Sequence, residues 1–277
     1  MIRLTGVSRT FTGRTGQVEA LRNIDLSVTE GEFVAVLGRS GCGKSTLLRM
    51  IAGLLPVTGG EITVAGTPIT KPRQDIAMLF QKPALLPWRT VLDNVLLPVE
   101  IFGWSRAKYR DRARQLLDLA GLAGFEKRLP HELSGGMQQR VSLCRSLIGE
   151  PRVMLMDEPF SALDALTREE LSGELQRVHM ETRATIVFVT HSIDEAVLLA
   201  DRVVVLSPRP GRIRKVVEVT IPRPRSLGRN AHLADVAQVS ADLHELLMEQ
   251  HAPEGGQRTP VPVGASAAAA SSGPAHR

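Results

Sequence analysis

One glycine-rich segment, GRSGCGKST at residues 38–46, combines the residue types that bind phosphate groups. It fits the pattern G-x-x-x-x-G-K-[ST], in which glycines let successive backbone N–H groups turn toward phosphate oxygens at the positive end of a helix. Lys44 would neutralise the β- and γ-phosphates of a nucleotide, the Ser45 hydroxyl would bind Mg²⁺, and Thr46 would support the phosphates. A turn that merely caps a helix is the alternative. The contacting residues are expected to be Gly38, Arg39, Ser40, Gly41, Cys42, Gly43, Lys44, Ser45 and Thr46.

Two adjacent carboxylates, Asp157 and Glu158, follow an apolar run in VMLMDEP at residues 153–159. The first would lie at the end of a strand near Mg²⁺, which we expect it to bind through water. The second would orient and polarise an attacking water. A surface acid pair that ends a strand is the alternative. Paired carboxylates favour hydrolysis of the nucleotide over phosphate transfer to a small acceptor.

A second candidate anion site is LSGGMQQR at residues 133–140. Ser134, Gly135 and Gly136 would open a helix, so that unpaired N–H groups and the helix dipole point outward. Two such sites can grip one triphosphate from two sides. If they cannot meet within one subunit, two copies must associate head to tail, each pressing its second site onto the γ-phosphate held by the other. A capped helix with no ligand is the alternative.

These residues need a framework of alternating strands and helices. Short apolar runs predict strands at 32–38, 60–66, 75–81, 152–159, 184–190 and 202–207. Helices are predicted at 44–54, 164–181 and 192–200, and residues 90–148 are predicted to be almost entirely helical. In the first helix, the buried face is expected to carry Leu47, Met50, Ile51 and Leu54. The pattern is typical of an α/β fold with a helical insert.

The composition, with 43% hydrophobic and 23% charged residues and a net charge of +5, is that of an ordinary globular protein. Two cysteines are too few for a disulfide framework or a structural zinc site. No apolar run approaches a membrane span, and MIRLTGVSRT does not resemble a leader, so we expect a cytoplasmic chain. Residues 202–229 hold eight Lys or Arg against one acid, which predicts a solvated basic face, with anionic lipid as the alternative and no indication of nucleic acid.

Five motifs, GRSGCGKST, FQ, LSGGMQQR, MDEPFSALD and VTH, occur in an order that resembles the ATP-binding subunits of ATP-binding cassette (ABC) transporters, over residues of about 2–225. The resemblance implies a P-loop NTPase (RecA-like) α/β core with an N-terminal antiparallel β subdomain and a helical subdomain inserted at about 82–150. It implies ATP and Mg²⁺ as ligands and ATP hydrolysis as the activity. Residues 226–251 are expected to form one or two helices of a C-terminal extension, and 252–277 a disordered tail.

The resemblance also assigns roles to individual residues. Phe11 occupies the position of an adenine-stacking aromatic, usually Tyr in the family. Gln81 would contact Mg²⁺ and the attacking water, and His191 the γ-phosphate. The segment from Ser161 to Asp164 would cross the dimer interface. Considered alone, Phe11 could be core filler, Gln81 a strand-end amide and His191 a polar residue before a capped helix. The expected nucleotide contacts are completed by Gln138 and Asp164.

Three longer segments resemble the subgroup that serves importers of nitrate, sulfonates and taurine: 80–98, 156–169 and 207–225. The resemblance implies a second ATP-binding subunit, membrane-spanning permease subunits, an indirect solute-binding protein and a position at the cytoplasmic face of the membrane. It places the segment after Gln81 against the permease, where an exposed apolar patch is expected, with an ordinary packed loop as the alternative. That patch comprises Pro83, Leu85, Leu86, Pro87 and Trp88.

The chain departs from the subgroup pattern at Cys144, in CRSL, and at Ser161, where glycine is frequent. Cys42 lies in the phosphate loop beside Lys44 and a helix N-terminus, which favours a thiolate, so alkylation is expected to inhibit and bound ATP to protect. Other interpretations are an importer ATPase for a different solute class, a soluble cassette ATPase without a transport role, a small-molecule kinase and a regulatory module that does not hydrolyse ATP. The kinase leaves LSGGMQQR unexplained.

Overall fold

The computed structural model describes residues 1–13, 16–161, 163–225 and 232–248. Within these ranges the strands are β1 (Ile2–Gly13), β2 (Gly16–Val28), β3 (Phe33–Leu37), β4 (Gly59–Val64), β5 (Thr67–Pro68), β6 (Ile76–Leu79), β7 (Val153–Asp157), β8 (Thr185–Thr190), β9 (Arg202–Leu206) and β10 (Ile213–Glu218). The α-helices are α1 (Lys44–Ile51), α2 (Val91–Val95), α3 (Leu97–Ile101), α4 (Arg106–Leu119), α5 (Gly135–Leu147), α6 (Ala165–Thr182), α7 (Ile193–Leu199) and α8 (Leu233–Met248).

A six-stranded sheet in the order β10-β9-β3-β8-β7-β6 forms the centre of the fold. Its strands pair in parallel except β10, which joins β9 antiparallel at one edge. Every residue of β3, β7 and β8 is buried, as expected for parallel strands covered on both faces. Because parallel strands end at the same edge of the sheet, the residues that follow β3, β7 and β8 are brought together there.

The central sheet separates two hydrophobic cores, and β3 contributes to both. Its Val34 and Val36 pack with α1 and the N-terminal strands. Phe33, Ala35 and Leu37 point to the other face, where they pack with helices of the insert and with α6 and α7. This division follows from the two-residue period of strand side chains.

A second, antiparallel sheet in the order β2-β1-β4-β5 covers the α1 side of the core. Its strands β1 and β2 pair from Ile2 with Val28 to Gly13 with Gly16, and the register shifts three times along the way. Helices α2 to α5 lie between β6 and β7 in the chain, and they are interrupted between Leu119 and Gly135. The predicted α/β core, antiparallel β subdomain and inserted helices are confirmed.

The first helix is shorter than predicted. It ends at Ile51 because Ala52 caps it and Gly53 turns the chain at φ +71°. Leu47, Met50 and Ile51 are buried as predicted, but Leu54 lies beyond the helix and is 50% exposed, so its assignment to the buried face is wrong.

The basic segment is not uniformly a solvated face. Arg202 pairs with Glu32, Arg223 pairs with Asp201 at 2.6 Å, and Arg225 is buried. The Arg225 guanidinium donates to backbone carbonyls, among them those of Val197 and Ala200 at 2.8 and 2.7 Å, and thereby holds the chain end of the domain against α7. These three cations are engaged inside the protein, so the expectation of a solvated face is wrong for them.

Within the described residues, α8 follows the last strand in the chain, and its Leu243 is fully buried in the core that contains α7. The remainder of the expected C-terminal extension and the expected disordered tail at 252–277 lie outside the described residues. In the part of the chain that is described, every helix is too short or too polar to cross a bilayer.

Candidate nucleotide-binding site

The phosphate loop joins β3 to α1 and leaves the start of the helix open. Gly41 and Gly43 adopt φ values of +79° and +106°, a region that favours glycine. A Cβ on Gly43 would lie 2.8 Å from Leu21 Cδ2 and 3.0 Å from the Ala20 carbonyl oxygen, so the close approach to β2 also requires glycine. Among the residues that the structure describes, no side chain caps the N-terminus of α1. Its first N–H groups are therefore available to an anion.

Lys44 is the buried cation of this loop, only 5% exposed, whereas Arg39 is exposed. Its Nζ donates to the carbonyl oxygens of Gly38 and Arg39 at 2.7 and 3.1 Å. It also lies 3.6 Å from Oε1 of Glu158. The ammonium is thus held inside the loop, and its distance from the carboxylate is longer than a charge-assisted hydrogen bond, so it can still bind a phosphate.

Ser45 and Asp157 form the candidate metal site. The Ser45 hydroxyl donates to Oδ1 of Asp157 at 2.7 Å, and Asp157 is buried at the end of β7. A hydroxyl and a carboxylate at the edge of a phosphate-binding loop are oxygen donors of the kind that Mg²⁺ prefers. The donor set therefore fits Mg²⁺.

Glu158 follows β7 in a strained backbone conformation, with φ +45°. Its N–H donates to the Val189 carbonyl oxygen at 2.9 Å, which fixes it to the neighbouring strand β8. Its Oε2 lies 3.1 Å from Nδ1 of His191, the residue that follows β8. One carboxylate therefore contacts both Lys44 and His191, because the ends of β3, β8 and β7 are adjacent in the sheet.

Gln81 follows β6 at the same edge of the sheet. Its Nε2 donates to the Ser161 hydroxyl at 3.0 Å, and that hydroxyl donates to the Glu158 carbonyl oxygen at 3.0 Å. Ser161 was expected to begin the segment that crosses the dimer interface and was noted as a departure from glycine. In the structure it links the candidate metal-contacting amide to the backbone of the candidate catalytic carboxylate.

Most of the phosphate loop, together with Gln81, Asp157 and Glu158, lines a cleft of about 460 Å³, and among the described residues His191 and Ser161 are not part of its lining. Phe11 lies at one end of it, 38% exposed and with the Arg9 guanidinium 4.6 Å above the ring, so it is not core filler. Arg209 also lines this cleft but was not among the predicted contacts, although Pro and Gly in SPRPGR indicate a turn after the strand predicted at 202–207. The cleft is lined by Phe11, Val18, Ala20, Ser40, Gly41, Gly43, Lys44, Ser45, Thr46, Gln81, Asp157, Glu158 and Arg209.

Another group of predicted contacts, Ser134, Gly135, Gly136, Gln138 and Asp164, lines no part of this cleft in the described chain. Ser134 caps α5 by accepting the N–H of Met137 at 3.2 Å. Asp164 caps α6 in the same way through Thr167. The Gln138 amide donates to the Pro130 carbonyl oxygen at 3.0 Å. The two candidate anion sites therefore do not form one pocket within a single subunit.

The cysteine of the phosphate loop differs from expectation. Cys42 is 1% exposed and packs in the core shared by α1 and the N-terminal strands. Burial raises the pKa of its thiol, and the opposing effect of Lys44 is smaller. The predicted reactive thiolate is therefore wrong, because the sequence showed the neighbouring charge but not the direction of the side chain.

The apolar patch after Gln81 is only partly exposed, and it is separate from a larger apolar groove that Ala84 lines. Trp88 is 73% exposed and Pro87 is exposed, whereas Leu85 is half-buried and packs on the core. Nearby, a groove of about 570 Å³ separates the helical insert from the phosphate-loop helix. Its apolar wall is formed by Leu54, Met78, Phe80, Leu97, Ile101, Phe102 and Trp104.

Comparison with known proteins agrees with this geometry. The family described as "ABC transporter" matches residues 21–161. An uncharacterized ABC transporter ATP-binding protein of Methanocaldococcus jannaschii is 46% identical over 224 residues, 81% of this chain and 84% of the relative. An aliphatic sulfonates import ATP-binding protein of Bacillus cereus is 44% identical over 81% of this chain and 88% of its own length. A taurine import ATP-binding protein of Burkholderia thailandensis is 44% identical over 88% of this chain and 94% of its own length.

Solved structures point the same way. The dimeric post-hydrolysis state of an ATP-binding cassette bound to ADP and Pi matches with a TM-score of 0.71 and 33% identity, over 80% of this chain and all of that chain. A fold of this kind around a phosphate loop and a strand-end carboxylate pair defines a P-loop ATPase, which binds and hydrolyses ATP. The chain belongs to the ABC transporter ATP-binding family. The family predicted from the motifs is confirmed.

Proposed function

We propose that this chain powers the import of a small anionic solute, an alkanesulfonate or taurine, as one of two ATP-binding subunits bound to permease subunits at the cytoplasmic face of the membrane. The names of the relatives from Bacillus cereus and Burkholderia thailandensis support the solute class. Nitrate, predicted alongside these from the sequence, is the next candidate. The ATPase unit in this proposal is residues 1–225, with a helical subdomain at about 82–150 and an extension at 226–251.

The single observation that carries the proposal is the separation of the two anion sites. The cleft holds the phosphate loop but not Ser134, Gly135 or Gly136. Each copy therefore needs a second copy, docked head to tail, to enclose ATP between its own phosphate loop and the partner's α5 N-terminus. Gln138 and Asp164 are assigned to that interface with them.

Within the cleft, the roles follow from the contacts. The phosphate-loop N–H groups and Lys44 bind the phosphates, and Phe11 stacks on the base. Ser45 and Gln81 would hold Mg²⁺ directly and Asp157 through water, and the bound ion would neutralise charge on the β- and γ-phosphates. When Lys44 binds the γ-phosphate, it loses its contact with Glu158, and the Glu158 carboxylate becomes free to act.

Hydrolysis then depends on Glu158 and His191. Glu158, released from Lys44, accepts a proton from the attacking water and directs it at the γ-phosphate. His191, beside Glu158 at the end of the next strand, donates to the γ-phosphate and keeps the carboxylate oriented. ATP binding closes the pair of subunits and hydrolysis reopens it, helped by charge repulsion between the products.

The exposed patch at Pro87 and Trp88, together with the neighbouring apolar groove, is the proposed docking surface for the permease. The groove lies where the helical insert meets the α1 side of the core, so movement of the insert changes its shape. An amphipathic segment of the permease would bury its apolar face there. Closure of the two ATPase subunits would in this way move the membrane subunits.

The variant Glu158→Gln tests the proposal that two copies of the chain enclose ATP between them. Because Glu158 handles the water and does not hold the nucleotide, we expect the variant to bind ATP, to lose hydrolysis by about 10²- to 10⁴-fold, and to accumulate as a dimer in light scattering. Glu61→Gln, an exposed change of the same kind in β4, is the matched control and should behave as wild type. A Glu158→Gln protein that stays monomeric with Mg·ATP, or that still hydrolyses ATP, would contradict the proposal.

The solute is tested separately by reconstitution with permease subunits in vesicles. We expect a sulfonate-loaded solute-binding protein, acting from the opposite face, to stimulate ATPase activity. Stimulation by a receptor for an unrelated solute would support an importer of another class. Full ATPase activity with no permease that co-purifies would support a soluble ABC ATPase.

A further inference from the structure

The loop between β9 and β10, residues 207–212, packs directly on the phosphate loop. The Gly211 N–H donates to the Ala20 carbonyl oxygen at 2.9 Å, and the Gly211 carbonyl accepts the Arg22 N–H at 3.0 Å. A Cβ on Gly211 would lie 2.2 Å from the Cys42 carbonyl oxygen, so only glycine allows this approach. These backbone contacts hold this loop at the wall of the nucleotide cleft.

From this loop, Arg209 extends into the cleft. Its Nε and Nη2 donate to the Gly41 carbonyl oxygen at 3.2 and 3.0 Å. A guanidinium carries five N–H donors, and these two bonds leave the rest of the fork for another acceptor. The side chain is exposed and lines the same cleft as Lys44.

The ion pairing of Arg209 also differs from that of other cations in this part of the structure. Lys44 lies beside Glu158, and Arg202 and Arg223 pair with carboxylates. Among the described residues, the hydrogen bonds of the Arg209 side chain go only to the Gly41 carbonyl, and no carboxylate pairs with it. A cation without a carboxylate, held at the wall of a cleft for a polyanion, is placed to bind phosphate oxygens.

The position within the cleft decides which phosphates are in reach. Arg209 contacts Gly41, and its loop is bonded to Ala20, on the side of the cleft that carries Phe11 and Val18. Glu158 and Gln81, the candidate groups at the γ-phosphate, lie at the other strand ends. We propose that Arg209 binds the α- and β-phosphate part of the nucleotide, which ATP and ADP share. This inference rests on the proposed nucleotide site and adds a contact that comes from outside the phosphate loop.

A binding measurement with Arg209→Gln tests the inference. Since the contact is exposed and charge-assisted, we expect the Kd values for ATP and for ADP to rise by the same factor, about three- to tenfold. The difference between wild type and variant should shrink at high salt, because salt screens an exposed cation. Arg209→Lys keeps the charge but not the planar guanidinium, so its Kd values should lie between those of wild type and Arg209→Gln.

Arg212→Gln is the matched control, since Arg212 is an exposed arginine of the same loop that does not line the cleft. It should bind both nucleotides as wild type does. An unchanged Kd in Arg209→Gln, an equal loss in Arg212→Gln, or a loss for ATP without one for ADP would overturn the inference. A salt-independent loss in Arg209→Gln would also overturn it, because that result indicates a structural role. Failure of wild type to bind either nucleotide would instead overturn the proposed site itself.

Discussion

The hydroxyl of Ser161 controls the orientation of a candidate metal-binding amide, and its removal gives a sharp prediction. Because Nε2 of Gln81 donates to Ser161, Oε1 is the amide atom left to coordinate Mg²⁺. Ser161 in turn donates to the Glu158 carbonyl oxygen, which fixes the hydroxyl in place. In Ser161→Ala the Gln81 amide can rotate, so that either Nε2 or Oε1 can face the candidate Mg²⁺ site.

The magnitude follows from one restraining hydrogen bond. Such a bond contributes about 0.5–1.5 kcal/mol net, which corresponds to a change of roughly two- to tenfold in an equilibrium constant. We therefore expect the free Mg²⁺ concentration that half-saturates ATPase activity to rise about two- to tenfold in Ser161→Ala. The Kd for ATP measured without Mg²⁺ should not change, since among the described residues the hydrogen bonds of the Ser161 hydroxyl go to Gln81 and Glu158 and not to the phosphate loop.

The assay is phosphate release at saturating ATP over a titration of free Mg²⁺. Ser161→Thr keeps the hydroxyl and is the matched control, which should retain the wild-type midpoint. An unchanged midpoint in Ser161→Ala would refute the orientation argument. An equal shift in Ser161→Ala and Ser161→Thr would refute it as well, because it would reflect packing of the loop and not the hydroxyl.

Three further predictions concern buried groups. Cys42 and Cys144 are both buried, and burial raises their thiol pKa values, for Cys144 to about 12, so the native protein should react with a thiol reagent far more slowly than the unfolded protein; rapid native labelling of one equivalent would contradict this. Arg225→Met leaves the carbonyls of Val197 and Ala200 without their donor and should lower the free energy of unfolding by about 3 kcal/mol in urea titrations; a loss below about 1 kcal/mol would contradict it. Burial lowers the pKa of His179, so only the unfolded state takes up its proton near pH 6; stability should fall as pH drops through 6.5, and His179→Phe should reduce that slope, while an unchanged slope would contradict the assignment.

Much of the core could be predicted from sequence because its strands are short, continuous apolar runs. In β3, β7 and β8 every residue is buried, so the runs were visible without knowledge of their partners. The long strands β1 and β2 lack such runs, since one face is exposed and bulges interrupt the alternation. Periodicity missed them, and only the family resemblance predicted an antiparallel sheet there.

The residues of the candidate site were likewise predicted only in part. Residues within a local motif, such as Lys44 and Ser45, were predicted because spacing along the chain determines their geometry. Arg209 was not, since it reaches the cleft through the packing of residues 207–212 on the phosphate loop. The direction of the Cys42 side chain likewise depends on a core contributed by distant strands. Sequence motifs predict local geometry, but they do not show contacts between segments far apart in the chain.

The most direct test of the shared site is a structure of Glu158→Gln with Mg·ATP. We expect a head-to-tail dimer in which the Ser134 hydroxyl lies within about 3 Å of the γ-phosphate that Lys44 of the other copy binds. A closed assembly in which Ser134 lies far from any nucleotide, or in which one copy alone encloses the triphosphate, would contradict the central claim.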